Sequence, residues 1–191
     1  WKRGSYIKMK ILILFITLLM FFNNGWAREI GQTEITTEEG IEVFQNEKYY
    51  LLKKNVKIEA DSFTLHGDVI KIFFEKDLYD IKIIDAVGNV KLNSNQYEIK
   101  ADGPNLLFKV DTEEIYIKGT NSRLVTKDTT MNSNGEIKVN NTNGDFLVIG
   151  PKSTMEAENI YIQGEDINGV FGSIDGVRGI NILNVYDENI A

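Results

Sequence analysis

The 191-residue sequence contains no cysteine, two prolines and a single histidine. The absence of cysteine excludes disulfide frameworks, cysteine-based zinc sites and thiol catalysis, and it is compatible with any compartment. The one histidine, His66, falls where an alternating strand places its side chain outside, which disfavours a role as metal ligand or general base. No spacing typical of a catalytic triad, a phosphate-binding loop or a zinc helix is present. We therefore predict a non-enzyme without a catalytic site, a metal site or a cofactor.

Positive charge is also scarce. The chain has 21 Lys and Arg residues against 28 Asp and Glu residues, for a formal net charge of −7. Binding to nucleic acid relies on basic residues that neutralise phosphates, and the basic residues here form no cluster. The composition disfavours nucleic acid as a partner and fits one soluble domain of moderate size.

The first residues resemble a secretory signal peptide. Lys10 precedes an apolar run from Ile11 to Phe22, and a polar stretch then ends in Gly25-Trp26-Ala27. The run is shorter than the roughly 20 apolar residues that a membrane-spanning helix needs. We expect cleavage between Ala27 and Arg28, with translation starting at Met9, and hence export from the cytoplasm.

Beyond residue 46 the apolar residues alternate instead of recurring at helical spacing. Examples are Val56 and Ile58, and Ile70, Ile72 and Phe74. A period of two indicates strands with one buried face, and clusters of Gly, Asn and Asp separate the runs. The pattern predicts an all-β fold.

The pattern also repeats. Residues of the same type recur 34 positions apart, and a weaker third copy follows at a spacing of 32. Such self-similarity is typical of a protein built by stacking one supersecondary unit. The first two copies align Phe63 with Tyr97, Leu65 with Ile99, Ile72 with Leu106, and Phe74 with Phe108.

A short phrase marks each unit: an apolar residue, any residue, a small residue and then an acid or amide. It predicts chain corners, because a small inward residue lets the backbone turn without crowding the interior. The predicted corners are Gly67-Asp68, Ala101-Asp102, Ser133-Asn134 and Ala157-Glu158.

Strand pairs with corners in register predict an elongated, twisted β-jelly roll of stacked antiparallel strands, open at both ends. Unpaired terminal strands expose backbone donors and acceptors, so the ends are expected to recruit further strands and to permit head-to-tail association. We assign residues 1–27 to upstream sequence and signal peptide, 28–163 to the jelly roll and 164–191 to an irregular, glycine-rich tail.

The signal peptide, the Gly88-Asn89-Val90 turn, the repeated corner phrase and the length together resemble the LptA family of periplasmic lipopolysaccharide-transport proteins, of the OstA-like group. The resemblance covers about residues 40–162. It implies a twisted β-jelly roll that binds lipid A acyl chains inside and forms part of the bridge from inner to outer membrane. It also implies two partners at the strand edges: an inner-membrane-anchored OstA-like protein and the outer-membrane lipopolysaccharide translocon.

On that resemblance, the inward residues of the repeats are candidates for binding lipid. The alternative is that they fill a closed core. These residues are Val56, Ile58, Phe63, Leu65, Ile72, Phe74, Ile83, Val90, Leu92, Tyr97, Ile99, Leu106, Phe108 and Ile117.

Three other functions are consistent with the pattern. The first is the inner-membrane-anchored sister component of the same export system (LptC-like), which would retain its N-terminal segment. The second is a structural β-repeat protein with a filled core. The third is a β-helical polysaccharide-processing enzyme, which would need an exposed cluster of acidic, basic and aromatic groups that the sequence does not reveal.

Overall fold

The computed structural model describes residues 33–76, 80–174 and 177–187. The chain divides into two units after Gln32, and these residues all belong to the second unit. The expected signal peptide and its cleavage site therefore lie outside the described residues. Within them the chain forms thirteen β-strands and no helix, which confirms the predicted all-β class. The strands are β1 Glu34–Thr36, β2 Ile41–Phe44, β3 Tyr49–Glu59, β4 Phe63–Phe74, β5 Ile81–Ser94, β6 Ile99–Lys109, β7 Glu114–Lys118, β8 Ser122–Val125, β9 Thr130–Ser133, β10 Glu136–Asn140, β11 Asp145–Ala157, β12 Ile160–Ile174 and β13 Val177–Tyr186.

Strand order in the sheet follows chain order almost throughout. All pairs are antiparallel, and the main path runs β1-β3-β4-β5-β6-β7-β10-β11-β12-β13. Strand β2 pairs with β3, while β8 and β9 pair with each other and continue the sheet beside β6 and β11. In the third repeat, each long strand is thus replaced by two short ones, β7 with β8 and β9 with β10. The stacking of equivalent strand pairs is the architecture that the repeat predicted.

Each long strand from β3 to β6 changes register near its middle. Lys53 and Val56 flank the break in β3, and His66 and Val69 flank it in β4. Such breaks increase the bend and twist of a strand. They divide every long strand into two halves, and both halves contribute to one hydrophobic core cluster. The result is a sheet folded over on itself at a row of corners.

Two of the four predicted corners are confirmed, at Gly67-Asp68 and at the break between β9 and β10 that contains Asn134. The corner expected at Ala101-Asp102 lies instead at Gly103-Pro104, since Val87 pairs with Asn105 and Val90 pairs with Gly103. The chain segment between the corners of β5 and β6 is longer than the segment between the corners of β3 and β4, because Val90 pairs with Gly103 whereas Val56 pairs with Gly67. This difference displaces the second corner from the 34-residue spacing.

The phrase around Ala157 is not a corner. Ala157 pairs with Ile160, so this segment forms the hairpin turn between β11 and β12. The corner of β11 lies further upstream, where the register shifts between Ile149 and Ser153 and Gly150 has a φ of 129°.

The corners of β3 and β5 share one backbone conformation despite different residues. Gly88 and Asn89 have φ values of 78° and 48°, and Lys54 and Asn55 have 65° and 50°. Glycine tolerates the left-handed region freely, whereas a lysine there is strained by contact between Cβ and the backbone. Equivalent corners are therefore formed by glycine in one repeat and by a strained lysine in the other.

The core consists of rows of apolar residues that face each other across neighbouring strands. One row lies in each half of the folded sheet, because residues two apart in a strand point to the same face. The row in the half containing β7 and β10 is Leu52, Ile70, Ala86, Leu106, Ile117, Ile137, Val148 and Ile167. The row in the other half is Ile58, Leu65, Leu92, Ala101, Leu124, Met131, Met155 and Ile162.

The glycine-rich segment expected to be irregular instead continues the sheet. Strand β12 extends to Ile174, and β13 pairs with it from Asp166 onward with one register shift at Asn168 and Gly169. Gly169 has a packing role, because an added Cβ would lie 2.6 Å from Cζ of Phe146 and would overlap the carbonyl oxygen of Asn181. The missing side chain at Gly169 leaves room for the Phe146 ring, which an apolar side chain at this position would displace.

Candidate functional site: the interior and its mouth

Most of the predicted inward residues lie together in the core. Twelve of them belong to the core cluster or pack against it, and Phe74 is buried with its ring centroid 5.3 Å from that of Tyr50. Seven of them are at most 2% exposed: Val56, Ile58, Leu65, Ile72, Val90, Leu106 and Ile117. The alternation in the sequence therefore identified the inward face of these strands.

Ile83 is the exception, and its inward placement was wrong. Phe73 pairs with Ile83, but Phe74 pairs with Ile81, so Lys82 is an extra residue in β5. A bulge of one residue reverses the alternation that follows it. Ile84, which is 3% exposed, consequently takes the core position, and Ile83 lies half-buried opposite Phe73 and Lys109.

A cavity of about 1000 Å³ opens between hairpin turns of the two halves. One lip consists of the turns that follow β5, β8 and β11, around Glu98, Asp128 and Glu158. The other lip consists of the turn Asn140–Gly144 and of residues of β12 and β13. The corners form the closed side of the folded sheet, and this cavity forms an open side, which we call the mouth.

Of the predicted lipid-binding residues, only Tyr97 and Ile99 line the mouth. The other apolar lining residues are Val139, Ala157, Ile160, Phe171 and Ile180. Sequence reasoning did not include Val139 because it lies in the weaker third repeat, and Phe171 and Ile180 because they lie in the segment expected to be irregular. Ala157 and Ile160 belong to a segment that was predicted as a corner. The alternation of Ile137 with Val139 was the available signal for Val139. Phe171 packs on Phe146 with ring centroids 4.8 Å apart, which continues the core up to the cavity.

The asparagine-rich turn of the mouth is shaped by its own side chains. Oδ1 of Asn140 accepts hydrogen bonds from the backbone N–H groups of Thr142 (2.9 Å) and Asn143 (3.1 Å). The N–H of Phe171 donates to the carbonyl oxygen of Gly144 at 2.9 Å and thereby ties β12 to the turn. Side-chain amides that accept from nearby backbone groups favour turns over strands. This lip therefore has a defined conformation.

Glu113 connects the two lips. Its Oε2 accepts a hydrogen bond from Nδ2 of Asn141 at 2.8 Å, and its carboxylate is hydrogen-bonded to the Tyr97 side chain. Burial raises the pKa of the Tyr97 hydroxyl, and the neighbouring Glu113 raises it further. Tyr97 is thus a neutral donor at one end of the mouth.

The edge strands expose apolar side chains at both ends of the sheet. In β1 and β2 these are Ile35, Ile41 and Val43, and at the other end they belong to β12 and β13. Two of them extend the core row described above, because Ile41 pairs with Leu52 and Val185 pairs with Ile167. Ile41 is 50% exposed and Val185 is 43% exposed, whereas Leu52 and Ile167 are fully buried. The apolar row therefore runs through the sheet and is uncovered at each end. The exposed residues at the second end are Ile160, Tyr161, Leu183, Val185 and Tyr186.

In the described ranges, no group of three or more His, Asp or Glu side chains is arranged to hold a metal ion. Those ranges also contain no helix with the length and apolarity required to cross a membrane.

The fold is an LptA-like (OstA-like) β-jelly roll. A solved structure with this fold is that of LptH, the LptA-homologous periplasmic component of the lipopolysaccharide transport device of Pseudomonas aeruginosa. The two chains are 11% identical and superpose with a TM-score of 0.50 over 81% of this chain and 96% of LptH. No protein-family model and no curated protein matches the sequence. At this identity the similarity establishes the architecture alone.

Proposed function

We propose that this protein carries lipopolysaccharide through the periplasm, with the acyl chains in its interior, as part of a protein bridge from the inner to the outer membrane. The fold is shared with LptH, which is a periplasmic component of a lipopolysaccharide transport device. The proposal includes export through a signal peptide cleaved between Ala27 and Arg28. It also includes an inner-membrane-anchored OstA-like partner at one edge and the outer-membrane translocon at the other.

The observation that carries the proposal is the apolar row that begins at exposed Ile41 and ends at exposed Val185. A closed globular core would be covered at its ends, since exposed apolar surface costs about 25 cal/mol per Å². A second domain that pairs with β13 would continue the row and cover Val185. Such a continuous interior would shield an acyl chain from water along its whole path.

The mouth supplies the space that the packed core lacks. Side chains next to the corners are fully buried and leave no space there. The acyl chains of the lipid would therefore have to enter beside Tyr97, Ala157 and Phe171. In this proposal the predicted inward residues between Val56 and Ile117, apart from Ile83, form the apolar wall, and Tyr97 and Ile99 contact the lipid directly.

The test is photo-crosslinking in a Gram-negative host, with benzoylphenylalanine in place of Phe171 and a matched control at Phe73. Phe171 lines the mouth, whereas Phe73 pairs with the outward Ile83. We expect lipopolysaccharide adducts at position 171 and not at position 73. Absence of lipid at both positions would contradict the carrier function.

A second variant tests the cavity without a crosslinker. Ala157→Phe places a ring in the mouth, and Glu156→Phe places the same ring on the exposed face of the same strand. We expect Ala157→Phe to reduce co-purified lipid severalfold and Glu156→Phe to leave it unchanged. Mass spectrometry of the intact protein reads both the lipid and the N-terminus, and an uncleaved N-terminus with lipid would indicate the LptC-like sister component.

One observation favours a second candidate, a structural β-repeat protein with a filled core. Leu52, Ile70, Ile117 and Ile137 are 0% exposed, so the interior beside the corners is already occupied by side chains. A cleaved protein that carries no lipid and that assembles through its edges would support this candidate over the carrier.

A further inference from the structure

We infer that Tyr97 and Glu113 form a strut across the mouth, which limits how far the two lips separate and thereby controls the passage of an acyl chain. The inference rests on the proposed function, because it assigns these two residues a role in admitting the lipid. The strut itself is a feature of the fold, so that its effect on the width of the mouth can be measured without any lipid.

The two residues lie at opposite ends of one strand. Tyr97 precedes β6 in the half of the sheet that contains β8, and Glu113 follows β6 in the half that contains β7. The 11 residues of β6 would span roughly 35 Å if the strand were straight. The Tyr97 side chain is nevertheless hydrogen-bonded to the Glu113 carboxylate, because β6 bends at Gly103-Pro104. The contact therefore limits how far the two arms of the bent strand can open.

The Glu113 end of the strut is fixed to the second lip. The carboxylate accepts from Nδ2 of Asn141 at 2.8 Å, and the carbonyl oxygen of Glu113 accepts from the N–H of Asn141 at 3.0 Å. The hydroxyl of Thr142 donates to the carbonyl oxygen of Thr112 at 3.2 Å. These three contacts join the turn that holds Glu113 to the turn Asn140–Gly144 that borders the cavity.

The Tyr97 end is fixed to the first lip in a similar way. Its ring packs against the core cluster, and its N–H donates to the hydroxyl of Ser94 at 3.2 Å. That hydroxyl is buried and donates to the carbonyl oxygen of Ser62 at 2.9 Å, which lies in the turn after β3. Since both ends are held by further contacts, breaking the strut releases two anchored turns from each other.

The strut stands at one end of the cavity. Among the described lining residues the first in the chain is Gln96, and the lining continues from there toward β12 and β13. In the first repeat Phe63 occupies the place of Tyr97, and phenylalanine has no hydroxyl to donate. An acyl chain that moves along the interior from the β1 and β2 edge therefore meets the strut where it reaches the cavity.

The first test measures the width of the mouth in the full secreted protein by pulsed electron paramagnetic resonance. Spin labels at Lys127→Cys and Gly172→Cys lie on opposite lips, and the chain has no other cysteine to label. Gly172 suits a label because an added Cβ meets no atom within 4 Å. We expect Tyr97→Phe to move the distance distribution to longer values. The matched control Tyr116→Phe removes a hydroxyl that donates to Glu114 on the outer face, and it should leave the distribution unchanged.

The second test measures how fast a bound probe, anthroyloxy-stearic acid, leaves the protein for phosphatidylcholine vesicles. A hydrogen bond to a charged group changes an equilibrium constant by about tenfold or more. We therefore expect Tyr97→Phe to release the probe about tenfold faster and Tyr116→Phe to release it at the wild-type rate. The double variant Tyr97→Phe and Glu113→Ala should release it no faster than Glu113→Ala alone, because both changes break the same contact.

An unchanged distance distribution in Tyr97→Phe would overturn the strut while the carrier function stands. A wider mouth with an unchanged release rate would contradict its control of passage. Equally fast release from Tyr116→Phe, or additive effects in the double variant, would also count against the inference, because the cause would then be a general loosening of the fold. If the wild-type protein binds no probe, lipid binding by the interior fails, and the distance measurement still decides whether the strut exists.

Discussion

Nζ of Lys138 lies 3.0 Å from Oε1 of Glu114, across the neighbouring antiparallel strands β10 and β7. Glu114 also accepts from Lys109 at 3.1 Å and from the Tyr116 hydroxyl at 3.2 Å. The ammonium groups of Lys109 and Lys138 lie 5.1 and 5.2 Å from the centroid of the Tyr116 ring. One carboxylate and one ring thus connect three strands on the outer face.

Glu114→Gln should destabilise the protein by about 1 kcal/mol at pH 7. The effect is small because the lysines are partly exposed, so that solvent weakens their attraction to the carboxylate. The hydrogen bond from Lys138 and the other contacts lower the pKa of Glu114 to about 2. A carboxyl with a depressed folded-state pKa contributes its full stability above about pH 4.5 and loses it as the pH falls through about 2. The difference between wild type and variant in urea unfolding should therefore shrink below pH 4.5. A difference that is constant with pH would contradict this assignment.

Lys54→Gly should stabilise the protein by about 0.5 to 1 kcal/mol, because glycine removes the left-handed strain at the first corner. The ion pair between Lys54 and Glu38 is largely exposed, so its loss costs little. Lys54→Ala is the control, since it loses the ion pair but keeps the strain. Urea unfolding of the two variants separates the loss of the ion pair from the relief of backbone strain. Equal stability of the two variants would show that the corner carries no strain.

Gly169→Ala should destabilise the protein by about 1 to 3 kcal/mol, because the added methyl group overlaps the Phe146 ring and the Asn181 carbonyl. Gly172→Ala is the matched control on the same strand, where an added Cβ meets no atom within 4 Å. Thermal unfolding of both variants provides the comparison. Equal effects would mean that β12 adjusts its position freely at Gly169.

Ile41→Asp and Val185→Asp should each weaken head-to-tail association, because a carboxylate at the end of the apolar row would be buried by the next molecule. Each variant retains one intact edge. A mixture of the two should therefore form dimers that do not extend, and sedimentation velocity distinguishes these from monomers and longer assemblies. Val87→Asp is the control, because Val87 is 45% exposed but lies on β5, away from the edges. A mixture that stays monomeric would contradict head-to-tail pairing through these residues.

The strands and their inward faces were predictable because alternation reports directly which side chains share a face. The inward face was assigned to the wrong residue where a single extra residue interrupts the alternation. The bulge at Lys82 moves the core position from Ile83 to Ile84. The corner at Gly103 was displaced for a similar reason, since hairpin length changes the spacing without changing the alternation.

The mouth was not predictable from the pattern. Its volume depends on the distance between hairpin turns such as Asn140–Gly144 and those around Glu98 and Asp128, and this distance is set by the corners and not by any local sequence. The regular strand pairing beyond Gly164 was not predicted, because the glycines of this segment, of which Gly169 fits against Phe146, conceal the alternation.

The nearly sequential strand order has a mechanical consequence. Every strand holds only its immediate neighbours, so opening can begin at an edge and advance one strand at a time, as in linear repeat proteins. Within the described residues, strand β13 pairs with β12 alone, while β5 is paired with β4 on one side and with β6 on the other. Amide hydrogen exchange should accordingly form a gradient along the stack, slowest in β4 to β6 and faster toward β13, so that the end available to a new partner is also the end that adapts to it most easily.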